Sequence, residues 1–413
     1  MIKHNPIVLY FPYLSVGGVS VLFLRIAKLY RESHRVILMD LENGYMAQNL
    51  PEGVELLTYD QKEKVPEDAV IIFQGVYPWR IRNFNKFPKT AKVLFWHLHP
   101  DNFYPFYFDK FRKIQVLKFI TFAASALKLN VGRKLLSFLV QNESLVFMDE
   151  TNRKSSFEYF GLGNKNSKIL KIFTDESSSI KYIPRKIDNV QKTVNLGWIG
   201  RLEDFKTSIL MHTLNRLQSI EKIKFNFTII GNGSDSLQFY RFKSKCGQYK
   251  IRIIDEIAPS DIPNFLNKFD ILFGMGTSAL EGAKLGIPTI LLDYSFHQIE
   301  KLYMFKPVFE HDGFSLGAKI HNSSFEDSCS LGDLLSKILS NYEEYSYKSY
   351  NYWKDNFSPE VFRTDFDRVL SQCTFSISNI IQNDFHKPDF FTRMLYYIRN
   401  KIKGDTNIEV WQY

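Results

Sequence analysis

The sequence predicts an α/β protein built from two Rossmann-like, doubly wound domains facing across a cleft, with C-terminal helices. Three observations carry this. Short apolar runs alternate with helical patterns in both halves of the chain, which is the mark of parallel sheets covered by helices. The alternation stops at a polar stretch and then restarts. At 413 residues the chain is too long for one ordinary core and suits two.

In the first half, IVLYF (7–11) runs into Gly17-Gly18 and the helical VSVLFLRIAKLYRE; RVILMD, AVIIFQG, KVLFWHLH and SLVFMD (144–149) follow at βα spacing. The stretch TDESSSIKYIPRKIDNVQK (174–192) has the Ser, Pro and charge content of a linker. Strand patterns resume with TVNLGWIGRL, KFNFTIIGNGS, KIRIID, FDILFGMG and PTILLD. From about residue 330 the pattern is helical. The expected divisions are 1–175 for the first domain, 176–192 for the linker, 193–355 for the second domain and 356–413 for the C-terminal helices and basic tail.

Composition narrows the class. Hydrophobic residues make up 45% and charged residues 23%, as in folded soluble proteins. Cys246, Cys329 and Cys373 form no CxxC pair, which speaks for a reducing compartment and against a zinc ribbon. The N-terminal apolar run is broken by Pro12 and is too short for a signal peptide, and nothing approaches the roughly 18 apolar residues of a spanning helix. A cytoplasmic protein is expected.

The net charge of +9 is unevenly spread. Lys110, Arg112, Lys113, Lys118, Lys128, Arg133 and Lys134 are interleaved with apolar residues and no acid, and KPDFFTRMLYYIRNKIKG is a second basic, aromatic segment. Solvated faces explain such runs blandly. Basic charge with apolar faces also suits an anionic membrane surface, reached through residues 110–139 and the C-terminal tail. No nucleic-acid-binding motif accompanies the charge, so nucleic acid is not an expected partner.

Ligands of an open parallel sheet bind beyond the carboxyl ends of its strands, and three loops of the second domain end there. GWIGRLEDFKT offers Arg201 as a planar fork and Lys206 as a point charge, both suited to phosphate. Ion pairs with Glu203 or Asp204 are the plain alternative. TIIGNGSD brings Gly231 and Gly233, which let backbone amides approach a ligand. GMGTSALEGAKLGIP ends a strand at Gly276 and begins a helix that Thr277 or Ser278 can cap and that Gly286 closes. Helix N-terminal amides attract an anion, typically phosphate. Glu281, about a turn in, suits ribose hydroxyls, or simply the helix dipole.

These residues resemble the nucleotide-sugar domain of GT-B-fold glycosyltransferases, particularly glycosyltransferase family 4. That family's G-R-L-x-x-x-K is matched by Gly200, Arg201, Leu202 and Lys206, and its I-G-x-G by Ile230, Gly231, Asn232 and Gly233. Its glutamate, followed by an alanine and G-x-P, finds Glu281, Ala283, Gly286 and Pro288 in residues 274–293, with Gly282 before the alanine, and the match covers 194–293. The first domain matches in layout only. There Gly17 and Gly18 resemble a glycine loop facing the cleft, and His99, at the end of the KVLFW strand, resembles a cleft histidine near the donor sugar better than His97 does.

The resemblance implies Arg201 and Lys206 on the donor diphosphate, Glu281 on the ribose, retention at the anomeric carbon and no metal or other cofactor. The implied partners are a nucleotide-sugar donor, UDP by default, and a lipid-linked glycan acceptor of lipopolysaccharide O-antigen or capsule synthesis. One departure stands out: the first glutamate of the family's E-x7-E is Phe273 here. Asp365-Phe366-Asp367 sits in a helical pattern and is a poor metal motif. His97 and His99 lack a third ligand beyond Asp101 for zinc, and Gly17-Gly18 carries neither a dinucleotide fingerprint nor a P-loop lysine. The competing functions are a nucleotide-sugar epimerase or hydrolase of the same fold and a non-catalytic, membrane-associated assembly protein.

Overall fold

The computed structural model describes residues 5–99, 102–103, 131–163, 167–175, 182, 193–202, 204–258, 261–295, 299, 303–311, 316–318, 320, 330–388 and 390. Most of the basic stretch 110–139, the linker and the C-terminal tail therefore lie outside the described residues. The chain divides into two units, 1–172 with 363–413, and 173–362. The chain enters the second unit at Phe173 and returns at Arg363, so the last helices complete the first core.

In the first unit, β1 (Ile7–Tyr10), β2 (Val36–Asp40), β3 (Glu55–Thr58), β4 (Val70–Gln74), β5 (Lys92–His97), β6 (Leu145–Phe147) and β7 (Lys168–Ile169) form a parallel sheet in the order β3-β2-β1-β4-β5-β6-β7. β1, β2 and β6 are buried at every position, as expected of strands covered on both faces. The edge strand β3 is half-exposed, which is why its sequence, ELLT, reads poorly as a strand.

Asp40, at the carboxyl end of β2, is fully buried. Its carboxylate accepts the N–H groups of Tyr13, Leu41 and Met46 at 2.8 Å and Ala47 at 3.2 Å. Burial pushes its pKa up, and the four backbone hydrogen bonds pull the other way. In dinucleotide-binding folds an acid near this point reaches a ribose. Here the carboxylate is consumed by Tyr13 of the loop that follows β1 and by Leu41, Met46 and Ala47 of the segment that follows β2.

The returning chain is fastened to this unit. Tyr30 donates to Asp367 Oδ1 at 2.7 Å and packs edge-on against Phe366, and Val93 N–H donates to Phe375 O at 2.8 Å. Asp365 pairs with Arg368 at 2.6 Å, so both carboxylates of the Asp-Phe-Asp triplet have protein partners.

In the second unit, β8 (Val194–Ile199), β9 (Phe225–Ile230), β10 (Lys250–Ile254), β11 (Ile271–Gly274), β12 (Thr289–Leu291) and β13 (Lys306–Pro307) run in the order β10-β9-β8-β11-β12-β13. All pairings are parallel except β12 with β13, an antiparallel edge that the repeating pattern did not suggest. Helices Leu331–Ser340 and Tyr342–Phe357 cover this unit. No helix among the described residues is long and apolar enough to cross a membrane.

Candidate donor site at the switch point of the second sheet

Strand order in the second sheet reverses between β8 and β11, and the crevice at such a point is where open α/β sheets hold ligands. Gly200, Arg201 and Leu202 leave β8 there, and Gly274 to Gly276 leave β11. The register pairs Trp198 with Phe273, which sets the two loops side by side.

The two glycine loops at β8 and β9 are zipped together. Gly200 N–H donates to Ile230 O at 3.0 Å, Leu202 N–H to Asn232 O at 3.0 Å and Asp235 N–H to Leu202 O at 3.1 Å. Gly233 N–H turns inward to Asn232 Oδ1 at 2.7 Å and Ser236 Oγ at 3.0 Å. Gly231 N–H donates to Ile254 O at 2.9 Å, so the backbone amides of Gly231 and Gly233, the two expected to approach a ligand, and that of Gly200 beside them each have a partner within the protein. The glycines serve loop-to-loop contact. Their rigidity positions Arg201, which is exposed, and Lys206, half-buried in the helix Asp204–Leu217.

At β11 the expected capping is also different. Gly276 is the N-cap residue of the helix Thr277–Lys284, with φ 63° and ψ −137°, and no side chain caps it. That conformation belongs to glycine. Ser278 Oγ instead accepts from Met275 N–H at 3.3 Å and donates to Met275 O at 2.9 Å. Gly276 N–H goes to Leu316 O at 2.8 Å and Ala279 N–H to Gly276 O at 3.2 Å. Among the described residues the N–H groups of Thr277 and Ser278 take no backbone acceptor, as is usual for the first amides of a helix. Gly286, at φ 66°, closes the helix as expected.

Glu281 is half-buried and ion-paired to Lys284 of its own helix. Phe273 is fully buried in β11 between Phe227 and Phe305, so the strand extends through the position where the family keeps its other glutamate.

In the first unit β5 ends at His97, two residues before His99. His97 is fully buried, its Nε2 2.9 Å from Ser156 Oγ, and burial lowers its pKa to about 3. That makes it a neutral core histidine. His99 is half-buried in a turn closed by Asn102, whose Oδ1 accepts the N–H groups of Leu98 and His99 at 2.9 Å each. Gly17 caps the helix Gly18–Tyr30 in an extended conformation, and Gly18 is exposed with open space around it. Among the described residues no group of three or more His, Cys, Asp or Glu could hold a metal ion.

No protein-family model and no curated protein matches the chain. Solved structures do. HepE from Anabaena, in complex with UDP-glucose, is similar over 89% of this chain and 100% of its own, at TM-score 0.53 and 12% identity. A glycosyltransferase from Rickettsia africae is similar over 90% and 99%, at TM-score 0.55 and 12% identity. The fold is GT-B. WaaG, a glycosyltransferase involved in lipopolysaccharide biosynthesis, is a third GT-B neighbour, at TM-score 0.52 and 12% identity over 88% and 98%.

Proposed function

We propose that this GT-B chain is a glycosyltransferase that moves a sugar from a nucleotide-sugar, a UDP-sugar by default, onto a glycan acceptor. The observation that carries the reading is the convergence at the β8/β11 switch point. Arg201 leaves a pair of hydrogen-bonded loops there, with Lys206 in the helix that follows, beside a second helix N-terminus with two amides to offer and Glu281 one turn further on. Cations and bare amides suit a diphosphate and a carboxylate suits a ribose. HepE's complex with UDP-glucose supports the donor class.

In the chemical step, charge develops on the departing diphosphate. Arg201, Lys206 and the Thr277 and Ser278 amides neutralise it, and loss of one such donor typically costs about 10²–10³ in rate. His99, at the carboxyl edge of the first sheet, is assigned a catalytic part. Retention, independence from metal and a lipid-linked acceptor of cell-surface polysaccharide belong to the same proposal. WaaG's part in lipopolysaccharide biosynthesis supports that setting. The basic stretches 110–139 and 387–404 would hold the enzyme at the cytoplasmic face of an anionic membrane.

Thermal melting with UDP, GDP, CMP and their sugars tests the donor class. A ligand at about 100 times its dissociation constant adds roughly 2.7 kcal/mol, a shift of about 5–10 °C for units of this size. One nucleotide should shift the wild type and leave Arg201→Ala/Lys206→Ala unmoved. No shift with any nucleotide would remove the reading.

A further inference from the structure

Lys284 lies three residues after Glu281 on the same helix, and the sequence motifs assign it nothing. Its Nζ is 2.5 Å from Glu281 Oε2 and donates to Asp175 O at 3.0 Å. The two side chains are only 7% and 14% exposed, so this is not a solvated surface pair. Asp175 belongs to the segment by which the chain enters the second unit, and that segment is fastened in turn. Thr174 N–H donates to Phe357 O at 3.2 Å and Trp353 Nε1 donates to Thr174 Oγ1 at 2.8 Å. Phe173 stacks on Phe362, the last residue before the chain returns, at 4.3 Å. A continuous path of contacts thus runs from Glu281 to both crossing points of the chain.

Packing alone does not call for a lysine here. A methionine fills similar volume without removing an ammonium group from water, a removal that is costly unless the charge is paired. What lysine adds is a fixed partner for one carboxylate oxygen, itself anchored on a backbone carbonyl outside the helix. A carboxylate on a loose side chain loses rotamer freedom when a ligand binds; one already held loses less.

We propose that Lys284 is a positioning residue for ribose recognition. It holds the Glu281 carboxylate in place to accept hydrogen bonds from the 2′ and 3′ hydroxyls of the nucleotide. It also ties that carboxylate to the segment at which the chain enters this unit. The inference rests on the nucleotide-sugar reading above.

Calorimetric titration of the full chain with UDP and with 2′,3′-dideoxyuridine diphosphate tests it, or with the matching pair for whichever nucleotide the melting series selects. Hydrogen bonds to a charged group set the wild-type preference for the hydroxylated ligand at about 10–100-fold. Lys284→Met should lose most of that preference while its affinity for the dideoxy ligand stays within about twofold, and Glu281→Gln should behave alike. A preference that persists in Lys284→Met, or equal weakening toward both ligands, overturns the role of Lys284. If Lys284→Met fails to fold, Lys284→Gln keeps a donor for Asp175 O and is read by the same outcomes. A wild type that binds UDP without preference overturns the ribose role of Glu281 and Lys284 but leaves the nucleotide reading standing. A wild type that binds neither ligand overturns that reading and this one with it.

Discussion

Gly231 lies so close to Gly200 that a Cβ on Gly231 would come 1.8 Å from the Gly200 carbonyl oxygen. With φ 148°, Gly231 also occupies backbone space that side-chain-bearing residues rarely enter. The loop that carries Arg201 and the loop after β9 are thus held together by a contact that only glycine permits. Gly231→Ala should destabilise the second unit by about 2–4 kcal/mol. Calorimetric melting checks this, and nucleotide affinity should fall in the same variant because Arg201 moves with its loop.

Gly18 is the counterexample. It begins a helix with an ordinary backbone, and a Cβ there meets nothing within 4 Å. Gly18→Ala should leave stability unchanged or raise it by up to about 1 kcal/mol. If the space beside Gly18 belongs to a substrate, turnover falls in this variant while its melting temperature does not. Paired melting and activity measurements separate the two effects.

His97 makes a pH prediction. Its folded-state pKa, about 3, lies below the ordinary histidine value, because burial disfavours the cation. Stability from the neutral ring is therefore complete above about pH 6.5 and is lost as pH falls toward 3. Between pH 7.5 and pH 5 the loss from this one group is about 2 kcal/mol. Urea unfolding of His97→Gln should show a shallower acid slope than wild type by that amount. Equal slopes would sink the assignment.

Asp40 accepts four backbone amides, and an asparagine oxygen cannot replace both carboxylate oxygens. Asp40→Asn should cost about 2–4 kcal/mol in urea unfolding of the first unit. Amide exchange should quicken at Tyr13, in the loop after β1, and at Met46, in the short helix Tyr45–Gln48 after β2.

The membrane proposal is tested by neutralising Lys110, Arg112 and Lys113. At about 1 kcal/mol per basic residue, partitioning onto vesicles containing phosphatidylserine should fall by about 100-fold. Unchanged partitioning would falsify it.

Much of this molecule was legible from one dimension. Runs such as IVLYF and RVILMD are buried on both faces, so their hydrophobicity is continuous and names them as central parallel strands. Gly276 and Gly286 stand where positive φ is needed, and that requirement is local enough to be written in the sequence. The loops bearing Arg201 and Gly231, and the helix start ahead of Glu281, were recognisable because each follows a strand. What is local in the chain, the strands, the helix ends and the order of the loops, the sequence determined by itself.

The tertiary structure decided what depends on partners distant along the chain. Whether a glycine amide is available turned on Ile230 O, Asn232 Oδ1 and Leu316 O, and no spacing rule contains those contacts. Whether His97 or His99 ends the strand turned on pairing with β6, which left the first inside the core. The return of residues 363–413 to the first unit depends on Tyr30 meeting Asp367 across 337 positions of chain. Lys284 was invisible as a functional residue because an i,i+3 pair with Glu281 reads as surface decoration until burial and Asp175 O are known. Hydrogen-bond satisfaction and burial are properties of three-dimensional neighbours, and only the folded chain supplies them.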